Sequence, residues 1–347
     1  MKHFFFAVIG VLLAFLPASA QKKYSVYGVG FYNQENLFDT CHDEGKRDYD
    51  FLPTGSYKWN AMKYNHKLSN MSRALADMGT DVLPNIGCAI IGLAEVENSK
   101  ALDDLIAQPA LSARNYQYVH IEGPDRRGID CALLYNPSLF SVKSTRLVPY
   151  VQKLKKDSAF YTRGFLTVSG TLADENVAVI VCHLPSRFSE SFYRELGAEQ
   201  VKAIKDSLLN DDPNCKVFVM GDMNDDPIDK SMAGILKGKG NIKDVNEGDM
   251  YNPWYNILVK EGVGTLLYQG SWNLFDQILV TPNLLNKDDK KDFSSLKFWK
   301  NQIFKRDYLF QTEGKYKGSP KRTTAGGVWL DGYSDHLPVV IYLVKEQ

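Results

Sequence analysis

Residues 217–227 read VFVMGDMNDDP, an apolar run followed at once by acids and an amide. Consecutive apolar residues from Val217 to Val219 are typical of a strand that is buried on both faces of a sheet. Asp222 and Asn224 stand where that strand leaves the core. Alone, they fit a solvated Asx turn as well as a binding site, because both side chains readily hydrogen-bond to the neighbouring backbone.

Five other apolar segments of the chain also begin or end with polar residues. These are Asn33 and Glu35, Glu95, His183, Asp276, and the pair Asp335 and His336. One such terminus is an ordinary turn. Six of them indicate strands that converge on a shared pocket at one edge of the sheets.

The side chains gathered in this way are carboxylates, amides and imidazoles. Carboxylate and amide oxygens are hard ligands suited to Mg²⁺, Mn²⁺ or Ca²⁺, and the sequence has no Cys-x-x-Cys pair for a zinc site. His183 and His336 have acids available, the arrangement in which a carboxylate orients an imidazole for general acid-base work. A hard cation with paired His and Asp groups predicts hydrolysis of a phosphate ester.

Each motif also has an ordinary structural explanation. Asn33 and Glu35 could end a turn, the Asp-His pair could cap one, and His183 could be a hydrogen-bonded core histidine. Glu95 is harder to explain, since a carboxylate that closes an apolar strand must be paired or ligated. The joint occurrence of the motifs, in this order, favours a site.

The apolar segments predict strands separated by a few amphipathic helices. The predicted strands are residues 24–31, 88–94, 116–121, 130–135, 163–170, 177–182, 216–220, 275–280 and 338–343, and the helical patterns are 59–78 and 198–208. Such an order without an internal repeat predicts an α/β or α+β sandwich. Because no long Pro/Gly/Ser linker divides the chain, residues 21–347 are predicted to form a single domain.

Residues 1–20 have the three regions of a secretory signal peptide. Lys2 and His3 precede an apolar stretch from Phe4 to Leu16, and small residues follow up to Ala20. A membrane anchor is the alternative, but the stretch is shorter than the roughly 20 residues that a spanning helix needs. We therefore expect export to the periplasm or the outside, with no integral membrane segment. The five widely spaced cysteines are expected to be free thiols, four of them in or beside the core.

The overall charge is balanced and gives no global argument for binding nucleic acid or a membrane. Residues 287–322 differ, since eleven Lys and Arg residues stand there against five Asp and Glu, with aromatic residues between them. Such a segment can follow a phosphate backbone and stack on bases. A solvated insertion with a few packed aromatics is the more ordinary explanation.

Taken in order, these motifs resemble the endonuclease/exonuclease/phosphatase superfamily, which includes DNase I, the apurinic endonucleases, the neutral sphingomyelinases and the inositol polyphosphate 5-phosphatases. The resemblance runs from Asn33 to His336. Its most specific parts are Gly-Asp222-x-Asn224 and Ser-Asp335-His336-Leu-Pro-Val. The resemblance implies a four-layer α/β/β/α sandwich with two central mixed β-sheets and a metal site at one edge.

The resemblance also implies a ligand set for that metal. Glu95 looks like the principal ligand, with Asn33 in support and Asp335 close by. Glu35 is similar to a position implicated in binding a second metal. Mg²⁺ is the expected ion, and Mn²⁺ or Ca²⁺ are alternatives.

Five residues resemble the catalytic groups of the family. Asp222 resembles the carboxylate that orients or activates the attacking water, and Asn224 the amide that holds a phosphoryl oxygen. His336, oriented by Asp276, resembles the histidine that stabilises the phosphate. His183 matches the second catalytic histidine of DNase I and the sphingomyelinases, whereas apurinic endonucleases have a different residue there, which argues against abasic-site repair.

Two further residues are predicted to bind substrate. Asp130 sits where its strand could direct a carboxylate at the pocket and pair with His183. Arg187 follows His183 by four residues and could select the substrate, because a guanidinium binds phosphate through two hydrogen bonds. An ion pair between Arg187 and Glu190 or Glu195 is the alternative.

The sequence thus predicts an exported, Mg²⁺-dependent enzyme that hydrolyses phosphodiester bonds, with a nucleic acid as the leading substrate. The alternative is a phosphatase or phosphodiesterase acting on a small or lipid phosphate of the inositol phosphate or sphingomyelin type. No run of apolar residues suggests a hairpin for membrane contact. A binding module of the same fold would be expected to have lost Glu95, Asp222 or a histidine, and no obligate protein partner is indicated.

Overall fold

The computed structural model describes residues 22–152, 162–288 and 291–347. The predicted signal peptide lies outside these residues. Two large β-sheets pack face to face, and helices cover their outer surfaces. This arrangement confirms the predicted α/β fold with two central mixed sheets.

The strands and helices follow one another along the whole described chain. In chain order the strands are β1 (Tyr24–Leu37), β2 (Cys88–Val96), β3 (Gln117–His120), β4 (Asp130–Tyr135), β5 (Phe140–Val148), β6 (Phe165–Leu172), β7 (Glu175–His183), β8 (Lys216–Asp222), β9 (Gly238–Lys239), β10 (Met250–Tyr251), β11 (Leu266–Tyr268), β12 (Ser271–Asn273), β13 (Asp276–Val280), β14 (Lys297–Ile303), β15 (Thr324–Ala325), β16 (Val328–Trp329) and β17 (Val339–Glu346). The α-helices are α1 (Ala61–Asp77), α2 (Ser99–Ile106), α3 (Pro109–Ser112) and α4 (Ser191–Asp211).

The first sheet has the strand order β14-β17-β1-β2-β4-β3, and the second has the order β5-β6-β7-β8-β13-β10-β9. Strands β1 and β2 run parallel to each other, as do β7 and β8. Their carboxyl ends therefore lie at a common edge of each sheet. Register brings His183 and Asp276 opposite Asp222 from the two sides of β8.

Helix α1 shows how the apolar pattern becomes a packed element. The Asn60 side chain caps its first turn by accepting a hydrogen bond from the Lys63 backbone N–H. Its buried face includes Leu68, Met71 and Leu75, which have the spacing of one helical stripe. The helix ends before Gly79, whose φ of 80° lies in the left-handed region favoured by glycine.

The main core lies between the two sheets and beneath α1 to α3, and a smaller core lies between the second sheet and α4. Four cysteines are buried, Cys41 is exposed, and all five are free thiols as predicted. No helix in the described ranges is long and apolar enough to cross a membrane.

All nine predicted strands are present. The eight described strands that were not predicted are the short strands β9 to β12, β15 and β16, and the longer strands β5 and β14. Both are partly exposed and carry many polar residues, so they lack a continuous apolar run. The first strand is also longer than expected. It continues to Leu37, so Asn33 and Glu35 lie within β1 rather than after it.

Candidate active site

The edge of the two sheets brings together most of the residues predicted from the sequence. β1 and β2 contribute Asn33 and Glu95, β7 and β8 contribute His183 and Asp222, β13 contributes Asp276, and the segment before β17 contributes Asp335 and His336. The site therefore draws on both sheets.

Asp222 lies at the centre of the site, and only 2% of its surface is exposed. Its Oδ2 atom accepts a hydrogen bond of 3.0 Å from Asn33 Nδ2, and its Oδ1 atom accepts one of 2.9 Å from the Asn224 backbone N–H. The Nε2 atoms of His183 and His336 lie 3.6 and 3.8 Å from Oδ2. Both histidines thus face the same carboxylate oxygen.

The hydrogen bonds fix Asp222, and its environment changes its acidity. Burial raises the pKa of the Asp222 carboxyl to about 7, with the nearby charge of Asp276 adding to the rise and that of His336 opposing it. A carboxyl group with a pKa near 7 can exchange a proton at neutral pH. Asp222 therefore has the acidity expected of a general base.

His336 is held as a cation by two carboxylates. Its Nδ1 atom lies 2.7 Å from Asp276 Oδ2, and its backbone N–H donates to Ser334 Oγ at 3.1 Å. Burial lowers the pKa of His336, but the charges of Asp276 and Asp222 outweigh that effect and hold it well above the ordinary value. The imidazolium form therefore predominates at neutral pH.

His183 differs from His336 in the direction in which its pKa is shifted. Burial, followed by the charge of Arg163, lowers its pKa well below the ordinary value, so this imidazole is neutral at pH 7. Its Nε2 atom lies 3.7 Å from Glu95 Oε1. Its Nδ1 atom is buried without a hydrogen-bond partner in the described residues. The two histidines of the site thus differ in charge.

Backbone irregularities direct the acids of the first sheet into the site. Glu95 has a φ of 63° and lies where the pairing of β2 with β4 shifts register. Glu35 and Asn36, with φ values of 44° and 60°, lie at a similar shift between β1 and β2. Bulges of this kind re-orient side chains next to active sites, and left-handed non-glycine residues persist where surrounding structure holds them.

Glu95 and Asp335 have carboxylate oxygens that are available to a cation. Glu95 Oε2 accepts a hydrogen bond from the Asn36 backbone N–H at 2.9 Å, whereas no described residue donates one to Oε1. Asp335 Oδ1 is likewise free of hydrogen bonds from the described residues, with His336 Nε2 at 3.9 Å. Their chemistry fits a hard divalent ion. Asn33 pairs with Ala94 on the neighbouring strand, and its Oδ1 atom accepts a hydrogen bond of 2.8 Å from the Glu35 backbone N–H.

Glu35 differs from the expectation for a ligand of a second metal. Its Oε1 atom accepts a hydrogen bond of 3.1 Å from Arg322 Nε, and its Oε2 atom accepts one of 2.6 Å from the Thr323 backbone N–H. Arg322 also donates through Nη2 to Asp335 Oδ2 at 3.0 Å. The guanidinium therefore bridges two acids that were predicted to bind metal.

In the described part of the chain, no group of three or more His, Cys, Asp and Glu side chains is arranged to hold a metal ion by itself. This agrees with the usual coordination of Mg²⁺, which is bound by one or two carboxylates and completes its shell with water and substrate phosphate. Glu95 and Asp335 fit such a set. Glu35 does not, because both of its oxygens are occupied.

Arg187, which was predicted to bind substrate, is paired with acids of the protein instead. Its Nη2 atom donates to Asp226 Oδ2 at 2.9 Å and to Asp229 Oδ2 at 2.7 Å. The alternative pairing with Glu190 or Glu195 is wrong as well, because Arg187 contacts these two aspartates instead. Its charge is thus balanced within the protein.

The expected pairing of Asp130 with His183 is also wrong. Both Asp130 oxygens accept a hydrogen bond from the Gly123 backbone N–H at 3.0 Å, and His120 Nε2 lies 3.4 Å away. Asp130 therefore has a structural role, because its buried carboxylate is hydrogen-bonded to the loop that precedes β4. This contact could not be predicted, since Gly123 and His120 belong to no motif.

In the basic segment 287–322, some cationic side chains are paired with other groups of the protein and others are exposed. Arg306 donates to Asp77 and Asp81, and Lys297 donates to the Asn283 carbonyl oxygen. Loop 311–321 contains exposed residues, among them Lys315, Tyr316 and Lys317, that are accessible to a ligand. Burial lowers the pKa of Arg322, but Asp335, Glu35 and, more weakly, Tyr316 raise it, which places this loop beside the site.

Four residues of the site were missed by the sequence analysis: Lys67, Arg322, Thr323 and Tyr333. Lys67 is fully buried in α1, and its Nζ donates to Thr323 Oγ1 at 2.6 Å and to the Tyr333 carbonyl oxygen. Arg322 closes the basic segment, but no motif linked it to Glu35, which lies almost the whole chain away. Only the fold brings these residues together.

The profile of the Endonuclease/Exonuclease/phosphatase family matches residues 28–345. The chain belongs to this family, whose members hydrolyse phosphate esters, and the resemblance found in the sequence is confirmed. No curated protein matches the chain.

Solved structures share the fold at low sequence identity. An endonuclease/exonuclease/phosphatase family protein from Bacteroides thetaiotaomicron is 14% identical with a TM-score of 0.55, and covers 93% of this chain and 96% of its own. A mannosyl-6-phosphatase from Bacteroides thetaiotaomicron VPI-5482 is 15% identical with a TM-score of 0.54, covering 91% and 99%. D. rerio TDP2 complexed with single strand DNA product is 13% identical with a TM-score of 0.52, covering 92% and 99%.

Proposed function

We propose that this protein hydrolyses phosphodiester bonds with the help of a divalent cation, Mg²⁺ in the first instance, and that its substrate is a strand of nucleic acid. The observation that carries the proposal is the position of Asp222. A buried carboxyl with a pKa of about 7 lies between a cationic and a neutral histidine, with available oxygens of Glu95 and Asp335 on either side.

The residues of the site divide the work of an in-line attack on phosphorus. Asp222, oriented by Asn33 and the Asn224 backbone, takes a proton from the water as the water oxygen bonds to phosphorus. The P–O bond opposite the water breaks, and the leaving oxygen takes up a proton from solvent. The cationic His336 stabilises the negative charge on the phosphoryl oxygens. Glu95 and Asp335 would hold a divalent cation, which would supply further positive charge to those oxygens.

Asn224 and His183 complete this arrangement. The Asn224 side chain donates one amide hydrogen to the Leu184 carbonyl oxygen at 3.0 Å and keeps a second for a phosphoryl oxygen. The neutral His183 carries one N–H, which its position beside Asp222 and Glu95 makes available to an oxygen of the substrate.

A nucleic acid substrate is supported by loop 311–321. Lys315 and Lys317 are exposed, and Lys315 lies 5.7 Å from the centre of the Tyr316 ring. Exposed lysines around an aromatic ring can contact a phosphate backbone and stack on a base. D. rerio TDP2, which shares the fold, was crystallised with a single strand DNA product.

Hydrolysis of a small phosphate monoester is the second candidate. It is favoured by the neutralisation of Arg187 and Arg306, which reduces the cationic surface available to a long polyanion. A mannosyl-6-phosphatase is among the proteins that share the fold. Export, which rests on residues 1–20, is part of the proposal for either substrate.

The test is a substrate panel measured with Mg²⁺, with Mn²⁺ and with EDTA. The panel contains bis-p-nitrophenyl phosphate, p-nitrophenyl phosphate, single-stranded DNA, RNA, mannose 6-phosphate, an inositol phosphate and sphingomyelin, and Asp222→Asn protein is the inactive control. We expect metal-dependent cleavage of the diester and of nucleic acid. Turnover that persists in EDTA, or in the Asp222→Asn variant, would exclude the proposed chemistry. Cleavage of monoesters alone would select the second candidate.

A further inference from the structure

We propose that Arg322 binds a phosphate oxygen of the substrate and that Glu35 positions it for this purpose. The inference rests on the proposed function and adds to it a phosphate-binding residue that no motif identifies. It also assigns Glu35 to the support of a guanidinium rather than to a second metal.

The geometry of the Arg322 guanidinium leaves one side open. Nε and Nη2 are used by Glu35 and Asp335, whereas no described residue accepts a hydrogen bond from Nη1. The side chain is 39% exposed. A planar guanidinium with two donors fixed by carboxylates can still donate in its own plane to a phosphate oxygen.

The loop that carries Arg322 is fastened at several points. The Thr323 backbone N–H donates to the second Glu35 oxygen at 2.6 Å, and the Thr323 hydroxyl accepts a hydrogen bond from the buried Lys67 at 2.6 Å. Lys67 also donates to the Tyr333 carbonyl oxygen, next to the segment of the catalytic histidine. Arg322 is therefore held in one place before any substrate arrives, which lowers the entropy cost of binding.

Arg322 is also close to the reacting group. It hydrogen-bonds to Asp335, and Asp335 Oδ1 lies 3.9 Å from Nε2 of His336, the cation assigned to the phosphoryl oxygens. A phosphate that contacts His336 therefore lies within reach of the neighbouring guanidinium. The five carboxylates of the site repel an anion, so a second cation here has an electrostatic purpose.

Two other arginines near the site, Arg187 and Arg163, have their charges paired within the protein. Arg187 is occupied by Asp226 and Asp229, and Arg163 is buried against Asp125 and the Leu184 carbonyl oxygen. Arg127 is exposed, and its charge acts on His183, but its Nε lies 3.8 Å from Asp125 Oδ1. Among the described arginines, Arg322 is the one that hydrogen-bonds to Glu35 and Asp335 and still has an open donor.

The experiment compares wild type, Arg322→Lys and Arg322→Gln, with Lys243→Gln as the control. Lys243 is exposed and lies outside loop 311–321, and its side chain makes no hydrogen bond to the described residues. Two quantities are measured in Mg²⁺: the Kd of inorganic phosphate by calorimetry, and kcat and KM for bis-p-nitrophenyl phosphate. Melting temperatures show whether each variant is folded.

We expect Arg322→Gln to weaken phosphate binding by about 10-fold or more and to raise KM more than it lowers kcat, because a charge-assisted hydrogen bond is lost. Arg322→Lys should lie between, since one ammonium group cannot reach both acids and the ligand, and Lys243→Gln should match wild type. Unchanged phosphate affinity in both Arg322 variants, or in Arg322→Lys if Arg322→Gln is unfolded, would overturn the inference.

Glu35→Gln tests the positioning role. The variant should weaken phosphate binding by a few fold, because the guanidinium loses a charged partner, while Mn²⁺ affinity stays at the wild-type level. Lost Mn²⁺ affinity with unchanged phosphate affinity would instead make Glu35 a metal ligand. If wild-type protein hydrolyses no ester, the proposed function has failed; if it does, and the Arg322 variants bind phosphate normally, only this inference has failed.

Discussion

The Nδ1 atom of His336 lies 2.7 Å from Oδ2 of Asp276, and neither side chain is more than 7% exposed. The pair crosses from the first sheet to the second, since His336 precedes β17 and Asp276 opens β13. Its carboxylate fixes both the orientation and the charge of the imidazole.

Asp276→Asn should therefore remove the charge on which the imidazolium depends. The pKa of His336 is expected to fall, since the remaining carboxylates compensate only partly for its burial, and turnover at neutral pH to fall by about 100-fold or more. The pKa is measured from the imidazole proton shifts by NMR, and turnover with bis-p-nitrophenyl phosphate. Asp211→Asn, at an exposed position in α4, is the control. An unchanged His336 pKa would contradict the assignment.

The pH dependence of stability should reveal the buried carboxyl of Asp222. Its pKa is about 7 in the folded protein and about 3.9 in an unfolded chain. The folded state binds the proton more tightly, so this group's contribution is full below pH 4 and is lost as the pH rises through 7. In EDTA, we expect the melting temperature of wild type to fall more between pH 5 and pH 8 than that of Asp222→Asn. A parallel fall in both proteins would argue against the raised pKa.

Glu95 should dominate metal binding. Glu95→Gln replaces the available carboxylate oxygen by a weaker amide ligand and is expected to lower Mn²⁺ affinity by at least about 10-fold, measured by calorimetry. Activity should then recover in part at high metal concentration. Glu44→Gln, at an exposed position, should bind Mn²⁺ as wild type does. Equal affinities in the two variants would remove Glu95 from the ligand set.

Loop 311–321 should matter for polymers and not for small esters. Lys315→Ala with Lys317→Ala is expected to weaken single-stranded DNA binding and to reduce the slope of log affinity against log salt by about 1 to 2, as phosphate contacts are lost. Binding is measured by fluorescence anisotropy. Hydrolysis of bis-p-nitrophenyl phosphate should be unchanged. The control is Lys243→Ala with Lys260→Ala, which removes two exposed lysines elsewhere. Equal salt slopes in the two double variants would favour the hypothesis that the substrate is a small phosphate ester.

Gly221 tests how closely the strands approach beneath the site. A Cβ atom at this position would lie 2.1 Å from the Cys182 carbonyl oxygen, so Gly221→Ala must displace β7 from β8. We expect a loss of about 3 kcal/mol in the free energy of unfolding, measured with urea. Gly248→Ala, at an open position with a φ of 83°, should cost about 1 kcal/mol. Equal losses would mean that backbone strain, rather than the close approach, explains the effect.

The sequence predicted the layered fold because buried strands are continuous apolar runs, as in VAVIVC before His183 or VFVM before Gly221. Strands β5 and β14 were missed because they lie at sheet edges and pair on one side only. Their exposed polar residues follow no pattern that separates a strand from a loop.

The site was predicted in part for the same reason. Asp222, His183 and His336 follow or precede apolar runs, so their convergence could be inferred. The contacts of Glu35 with Arg322, and of Arg187 with Asp226, depend on side-chain geometry between distant segments. Even a correct set of strands does not determine which of several arginines and acids will pair.

The register places His183 and Asp276 on either side of Asp222, and Asn33 reaches the same carboxylate from the opposite sheet. Neither sheet alone possesses a complete reaction centre. A conformer that kept its strands and helices but let the two sheets separate would give a native far-ultraviolet spectrum and no turnover. The rate of turnover therefore reports whether the two sheets have packed together. Measured during refolding, the recovery of turnover gives the rate of this last assembly step.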